Sequence, residues 1–365
     1  MNAERLHAIC LELKQSIEST NIVNKFKQVV SNLQNIVNNP QDSGQQQALT
    51  NNLGLLYEVL QDFSTDYYSP AWRQSLDELG GSHILGKQLE EEIRNILEKN
   101  QITPATAFQE IQKLFQELQQ FKGAVDGVVT AFDQLKIGSE KLEPGECEVG
   151  ILIPRSAVHN NVQEFGKELQ DINFILGTFS ELSSGNRETF KINTISSSDL
   201  MVFLAAIPPV AACIAYAAEK IINLYKTLLE IKKLKGELKK QGLAEEEMKG
   251  INDHADTVMS KGVEELTIKI VEEYYVGNDP QRKNELSNAV SIALNKLANR
   301  IDQGFNVEVR AEPTNKSEDK GTASEDAQKN KEYIDRVLSV SKTLRFMKHA
   351  GPRILHLPEK TIKSN

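Results

Sequence analysis

Cysteine is scarce in this sequence: 365 residues hold three, Cys10, Cys147 and Cys213, far apart and odd in number. No CxxC pair and no Cys/His cluster occurs, which excludes a zinc knuckle and a disulfide framework and leaves free thiols of a reducing compartment. Aromatic residues make up 6% with a single Trp, so platforms for stacking bases are few. Positive charge is outnumbered, 42 Lys+Arg against 51 Asp+Glu, and a net charge of -9 repels nucleic acid. A nucleic-acid partner is therefore not expected.

Catalytic signatures are also lacking. There is no Gly-rich phosphate loop, no GxSxG elbow and no HExxH motif, and Gly145 and Gly150 do not make a dinucleotide fingerprint. The six His are scattered and suggest no triad. Asp253, His254 and Asp256 lie close in sequence, but one helix face can hold only His254 and one carboxylate, so they read as a helix surface rather than a metal site. Arg155, Ser156 and His159 follow an expected strand, where α/β sheets often bind ligands, and they mark the one place an enzyme site would sit, together with residues 196–199. No cofactor is expected, and the chain reads as a non-enzyme. Residues 1–15 carry Glu4 and Glu12 and no apolar core of signal-peptide length, so a cytoplasmic protein is expected.

What is present is helical rhythm. With 39% hydrophobic and 25% charged residues the composition is that of a folded chain, long enough for two or three domains. Val23, Phe26, Val30, Leu33 and Val37 recur at spacings of 3 and 4, which places them on one stripe of a helix. Leu49, Leu53, Leu56, Leu60 and Phe63 repeat the stripe, as do Leu85, Leu89, Ile93 and Ile96. Thr103 before Pro104 predicts a helix start, with Thr as cap and Pro in the first turn. From there Phe108, Ile111, Phe115, Leu118, Phe121, Val125, Val128, Phe132 and Leu135 line one face of a long helix. Residues 1–140 are expected to form an antiparallel helical bundle or coiled coil.

Near Pro144 the character changes. Residues 146–154, 189–195 and 305–309 are short, β-branched or alternating, and read as three strands of a small sheet. The first two, joined by a helix over 161–182, permit a βαβ unit with a right-handed crossover. A long helix is expected across 214–238, and further helices over 251–275 and 286–301. Residues 145–312 thus predict a helical α+β domain, in a chain that is mainly α overall. Residues 313–330 are polar and lack large apolar side chains, which predicts a flexible linker. Residues 331–365 read as a short helix and a basic tail.

Two segments stand out. Residues 200–218, including Leu200, Phe203, Leu204, Val210 and Ile214, carry no charge and approach the length needed to span a bilayer. In layout alone, long helices around one apolar segment, the chain resembles the α-helical pore-forming toxins; that implies a segment hidden in a soluble form and released at a membrane. The alternative is buried core, with Pro208 and Pro209 starting a helix. The tail carries Lys342, Arg345, Lys348 and Arg353 among apolar residues, which suits an anionic surface or acidic partner, or docking on the protein itself. The Lys-rich residues 232–240 read as a solvated helix face. The function expected is a non-enzymatic interaction or assembly protein acting through coiled-coil surfaces on a protein partner or a second copy. The alternative is a membrane-active protein exposing residues 200–218.

Overall fold

Thr20 and Asn21 break the first helical stretch in two. In the computed structural model, which describes residues 3–196, 200–244, 246–314, 325–347 and 352–360, α1 (Ala3–Ser19) stops where the Thr20 hydroxyl turns back onto the Ser16 carbonyl at 2.6 Å. Asn21 then takes a left-handed conformation (φ 53°), which Asn tolerates. α2 (Ile22–Asn38) resumes the path. The break lets both helices follow one long partner, α6 (Pro104–Leu135), whose 32 residues extend about 48 Å at the rise of an α-helix.

Ring contacts give the direction. His7 of α1 meets Phe132 near the end of α6 at 5.3 Å, and Phe26 of α2 meets Phe115 nearer its start at 5.5 Å, so the pairing is antiparallel. Arg5 closes the far end, donating to Glu140 through Nε (3.1 Å) and Nη2 (3.0 Å). α3 (Ser43–Gln61) packs on α2, and α5 (Gly86–Lys99) packs on α3 and α6, which closes a four-helix arrangement; α4 (Pro70–Glu78) is a short connector. Leu56, Leu60, Leu89, Ile93 and Leu118 are fully buried in this core. Each contributes roughly 1.5–3 kcal/mol of apolar burial. α6 starts at Pro104 as expected, but the Thr103 hydroxyl donates to the Asn100 side chain (3.1 Å) and caps nothing. These elements form the first of two units, Met1–Lys141.

The second unit, Leu142–Asn365, holds a four-stranded sheet rather than three strands. β1 (Cys147–Ile153), β2 (Ile192–Ser196), β3 (Leu200–Ala206) and β4 (Asn306–Ala311) lie in the order β2-β3-β1-β4, with every neighbouring pair antiparallel. β1 and β2 therefore run parallel with β3 between them, and β3 and β4 run parallel with β1 between them. The βαβ unit that the first two strands permit is present in split form, with β3 between them, and the topology is two interleaved split βαβ units. α7 (Val162–Ser184) makes the first crossover. The second is drawn out into α8 (Pro208–Lys226), α9 (Leu229–Lys240), α10 (Lys249–Tyr274) and α11 (Pro280–Asp302).

Register sorts the side chains. Val149 pairs with Leu204 and Val309, and Ile151 with Val202 and Val307; these face the main core with α7, α8 and α11. Gly150 pairs with Phe203 and Glu308 on the other face. A Cβ there would lie 2.7 Å from Glu308 Cγ and 2.9 Å from both Met201 Cε and Phe203 Cε1, so only glycine fits. β2 is an edge strand with Ile192 and Ile195 exposed, and an irregularity in its register at Asn193 interrupts its pairing.

The helix expected across 214–238 is two helices. The Thr227 hydroxyl takes the Leu224 carbonyl (2.6 Å), a local bond that competes with helix continuation, and α9 restarts at Leu229. Of the expected linker 313–330, residues 315–324 lie outside the described residues, while Glu325 to Asn330 open α12 (Glu325–Thr343). Ile334 and Val337 of α12, with Ile354, Leu355 and Leu357 beyond it, belong to the same core as the sheet.

Candidate functional site

Residues 200–218 are mostly buried and contribute to the core of the second unit. The first seven form β3, held by ladders to β1 and β2 on its two edges. Ile207 is extended and caps α8, which begins at Pro208 with both prolines in its first turn. Phe203, Leu204, Val210 and Ile214 are buried, and Leu200 is half-buried. Among the described residues no helix is long and apolar enough to cross a membrane. The uncharged run is divided between a strand and a helix, so no single helix holds it. A central strand buried on both faces is apolar throughout, and that pattern mimics a lipid-facing helix.

Lys342 lies exposed in the last turn of α12, and Arg345 Nη1 donates to the Lys342 and Leu344 carbonyls (2.6 and 2.7 Å). Lys348 lies outside the described residues. The Arg353 side chain bonds the Leu355 carbonyl at 2.6 Å. Around Arg353 it is the main chain that is bound.

Residues 352–360 cross α9, α10 and α11 as an extended segment, read by side chains from those helices. Asp302 Oδ2 accepts the N–H groups of Ile354 (2.7 Å) and Leu355 (2.9 Å). Asn299 accepts the Leu357 N–H and donates to its carbonyl, both at 3.0 Å. Asp256 accepts from His356 N (2.7 Å), Asn295 donates to the Pro358 carbonyl (3.0 Å) and Lys235 Nζ to the Arg353 carbonyl (2.7 Å). Ile354, Leu355 and Leu357 are buried beneath these bonds.

Behind Asp302 stands a buried polar triad. Lys232 Nζ reaches Asp302 Oδ1 (2.9 Å), the Asp302 carbonyl (2.6 Å) and Tyr225 Oη (3.0 Å), and the Tyr225 hydroxyl donates to Asp302 Oδ1 (2.7 Å). Burial alone would raise the Asp302 carboxyl; the Leu355 N–H, the Lys232 ammonium and the Tyr225 hydroxyl outweigh it and hold it below the ordinary value of 3.8. Burial pushes the Tyr225 hydroxyl far up, so it stays a donor. The solvated face expected at residues 232–240 holds for Lys233, Lys239 and Lys240, which are exposed, and is corrected at Lys232 and Lys235, which are among the most buried side chains, while Leu234 between them is half exposed. A signal was available. Ile221, Tyr225, Leu228, Lys232 and Lys235 follow one another at spacings of 4, 3, 4 and 3, and all five are buried.

The other sequence candidates are not drawn together. Asp256 is engaged by the tail, and the Asp253 carbonyl takes the Thr257 hydroxyl (2.7 Å). Among the described residues no group of three or more His, Cys, Asp or Glu could hold a metal ion. Arg155 bonds Asn160 (2.8 Å) within a turn where His159 and Asn160 both have positive φ, and residues 197–199 lie outside the described residues. A cavity of about 20 Å³ between β1, α7, α8 and α11 is lined by Ile151, Leu176, Phe179 and Leu297, with room for about one water and no ligand.

In the first unit, the outer face of α6 is unusual. From Gln116 on, past Lys113, the residues Gln116, Gln120, Gly123, Gly127 and Ala131 are exposed, spaced by 3 or 4, and uncharged. They lie opposite the buried seam of Ile111, Leu118, Val125 and Val129. At Gly123 and Gly127 a Cβ would meet nothing within 4 Å. No protein-family model, no curated protein and no solved structure matches this chain.

Proposed function

We propose that this chain is a non-enzymatic helical assembly protein, and that the outer face of α6 pairs with the same face of a second copy. The observation that carries the reading is the uncharged stripe on α6, in a chain of net charge -9. Two such copies repel wherever their surfaces are charged, and a face without charge removes that barrier. The stripe is its own complement about a two-fold axis, which is the symmetry of most dimers. Its 3 and 4 spacing is that of helices packed side by side. Glycine inside a helix costs about 1 kcal/mol relative to alanine. Gly123 and Gly127 relieve no crowding within their own unit, and a close partner backbone supplies a reason for them.

Sedimentation equilibrium of the full chain tests the proposal. The wild type is expected to show a concentration-dependent dimer, and Gly127→Arg to give a monomer with unchanged circular dichroism. A wild type that stays monomeric at all concentrations, or a Gly127→Arg dimer of unchanged affinity, refutes it.

A further inference from the structure

The contacts of residues 352–360 have the form of a receptor with its ligand in place. Hydrogen bonds join the segment's main chain to side chains of α9, α10 and α11, and Lys296 and Asn299 of α11 hold the Glu359 side chain; among the described residues none runs from the segment's main chain to other main chain. Such a segment can leave without unzipping a strand ladder or a helix. Part of the site's geometry is set by the helices themselves, since Lys232, Asp302 and Tyr225 also bond one another. A site that is ordered before its ligand arrives loses little freedom on binding.

We propose that α9, α10 and α11 form a peptide-binding site for an extended segment of the pattern Ile-Leu-x-Leu-Pro, and that the chain's own residues 353–358 occupy it as a resident competitor. Asp302 and Asn299 read main-chain groups that any extended peptide offers, so they fix its path and register. Specificity comes from the buried positions of Ile354, Leu355 and Leu357. Pro358 fits the end of the pattern, since there only a carbonyl is used, by Asn295. The partner is another protein that presents this pattern in an extended, accessible stretch. The reading is independent of the α6 face, which lies in the other unit.

The test uses the full chain with its own segment disabled. Leu355→Asp with Leu357→Asp removes two buried anchors and leaves the helices unaltered. A fluorescein-labelled peptide of residues 352–360 is then titrated by anisotropy. Saturable binding to this variant is expected, at least tenfold weaker binding to the wild type, and a loss of about tenfold or more when Asn299→Ala is added. No binding to the folded variant, or binding indifferent to Asn299→Ala, overturns the proposal. If the variant does not fold, hydrogen exchange on the wild type decides. The amides of Ile354, Leu355 and Leu357 are expected to exchange by local opening, at least tenfold faster than those of β1 and β3. Exchange of these amides only with global unfolding overturns the proposal.

Discussion

Lys232 and Asp302 form an ion pair, Nζ to Oδ1 2.9 Å, with side-chain exposures of 2% and 0%. They are 70 residues apart in sequence, and they join α9 to the end of α11 beneath the extended segment. Taking two charges out of water is costly, so the pair is tolerable only with further bonds, here from Tyr225 and two backbone N–H groups.

Lys232→Met is expected to destabilise the protein by roughly 3–5 kcal/mol, because it strands the Asp302 carboxylate in the core. Combined with Asp302→Asn the loss should be smaller than the two single losses added together, since neither charge is then left alone. Urea denaturation of the three variants measures this.

The Asp302 carboxyl is held below 3.8, its ordinary value. A lowered carboxyl contributes stability that is fully present above the unfolded-state value and lost as pH falls through the folded one. The wild type should lose this contribution progressively below about pH 4, where an unfolded carboxylate protonates. In Asp302→Asn, which is less stable at neutral pH, the acid limb should be flatter. Thermal unfolding between pH 2 and 7 checks the difference between the two profiles.

Gly123→Ala and Gly127→Ala should each stabilise the monomer by about 0.5–1 kcal/mol, since alanine is the better helix former and the added Cβ meets nothing. Loss of stability at either position in a dilute, monomeric sample would show that α6 is not helical there. Differential scanning calorimetry is the measurement.

Gly150→Ala should do the opposite, at about 1–3 kcal/mol of destabilisation, because the new Cβ would crowd Glu308, Met201 and Phe203 together. Guanidinium unfolding checks it, with circular dichroism to confirm that the sheet persists.

Much of the fold was legible where one periodicity ran alone. Phe26, Val30 and Leu33 share a stripe, and that stripe lies in the core of the first unit. β1 and β4 announced themselves as short β-branched runs. The reading failed where two structures share one pattern. Residues 200–206 are apolar at every position because both faces of β3 are covered, and period alone does not separate such a strand from a buried helix. It failed again at Lys232 and Lys235, where charge suggested solvent although the spacing from Ile221 and Tyr225 pointed inward.

The tail shows the division most clearly. Its sequence displayed a reversal of charge, and the structure engages Arg353 through its backbone carbonyl instead. A main-chain group is present at every residue and carries no signature, so sequence cannot announce which ones will be bound.

By itself the sequence determined the helical rods and three of the four strands, because local period and turn residues act over a few positions. Only the tertiary structure decided that β3 sits between β1 and β2, that two lysines go inside, and that Asp302 receives residues 354 and 355. Those outcomes depend on partners dozens of residues away, and burial of a charge is affordable only where such partners converge.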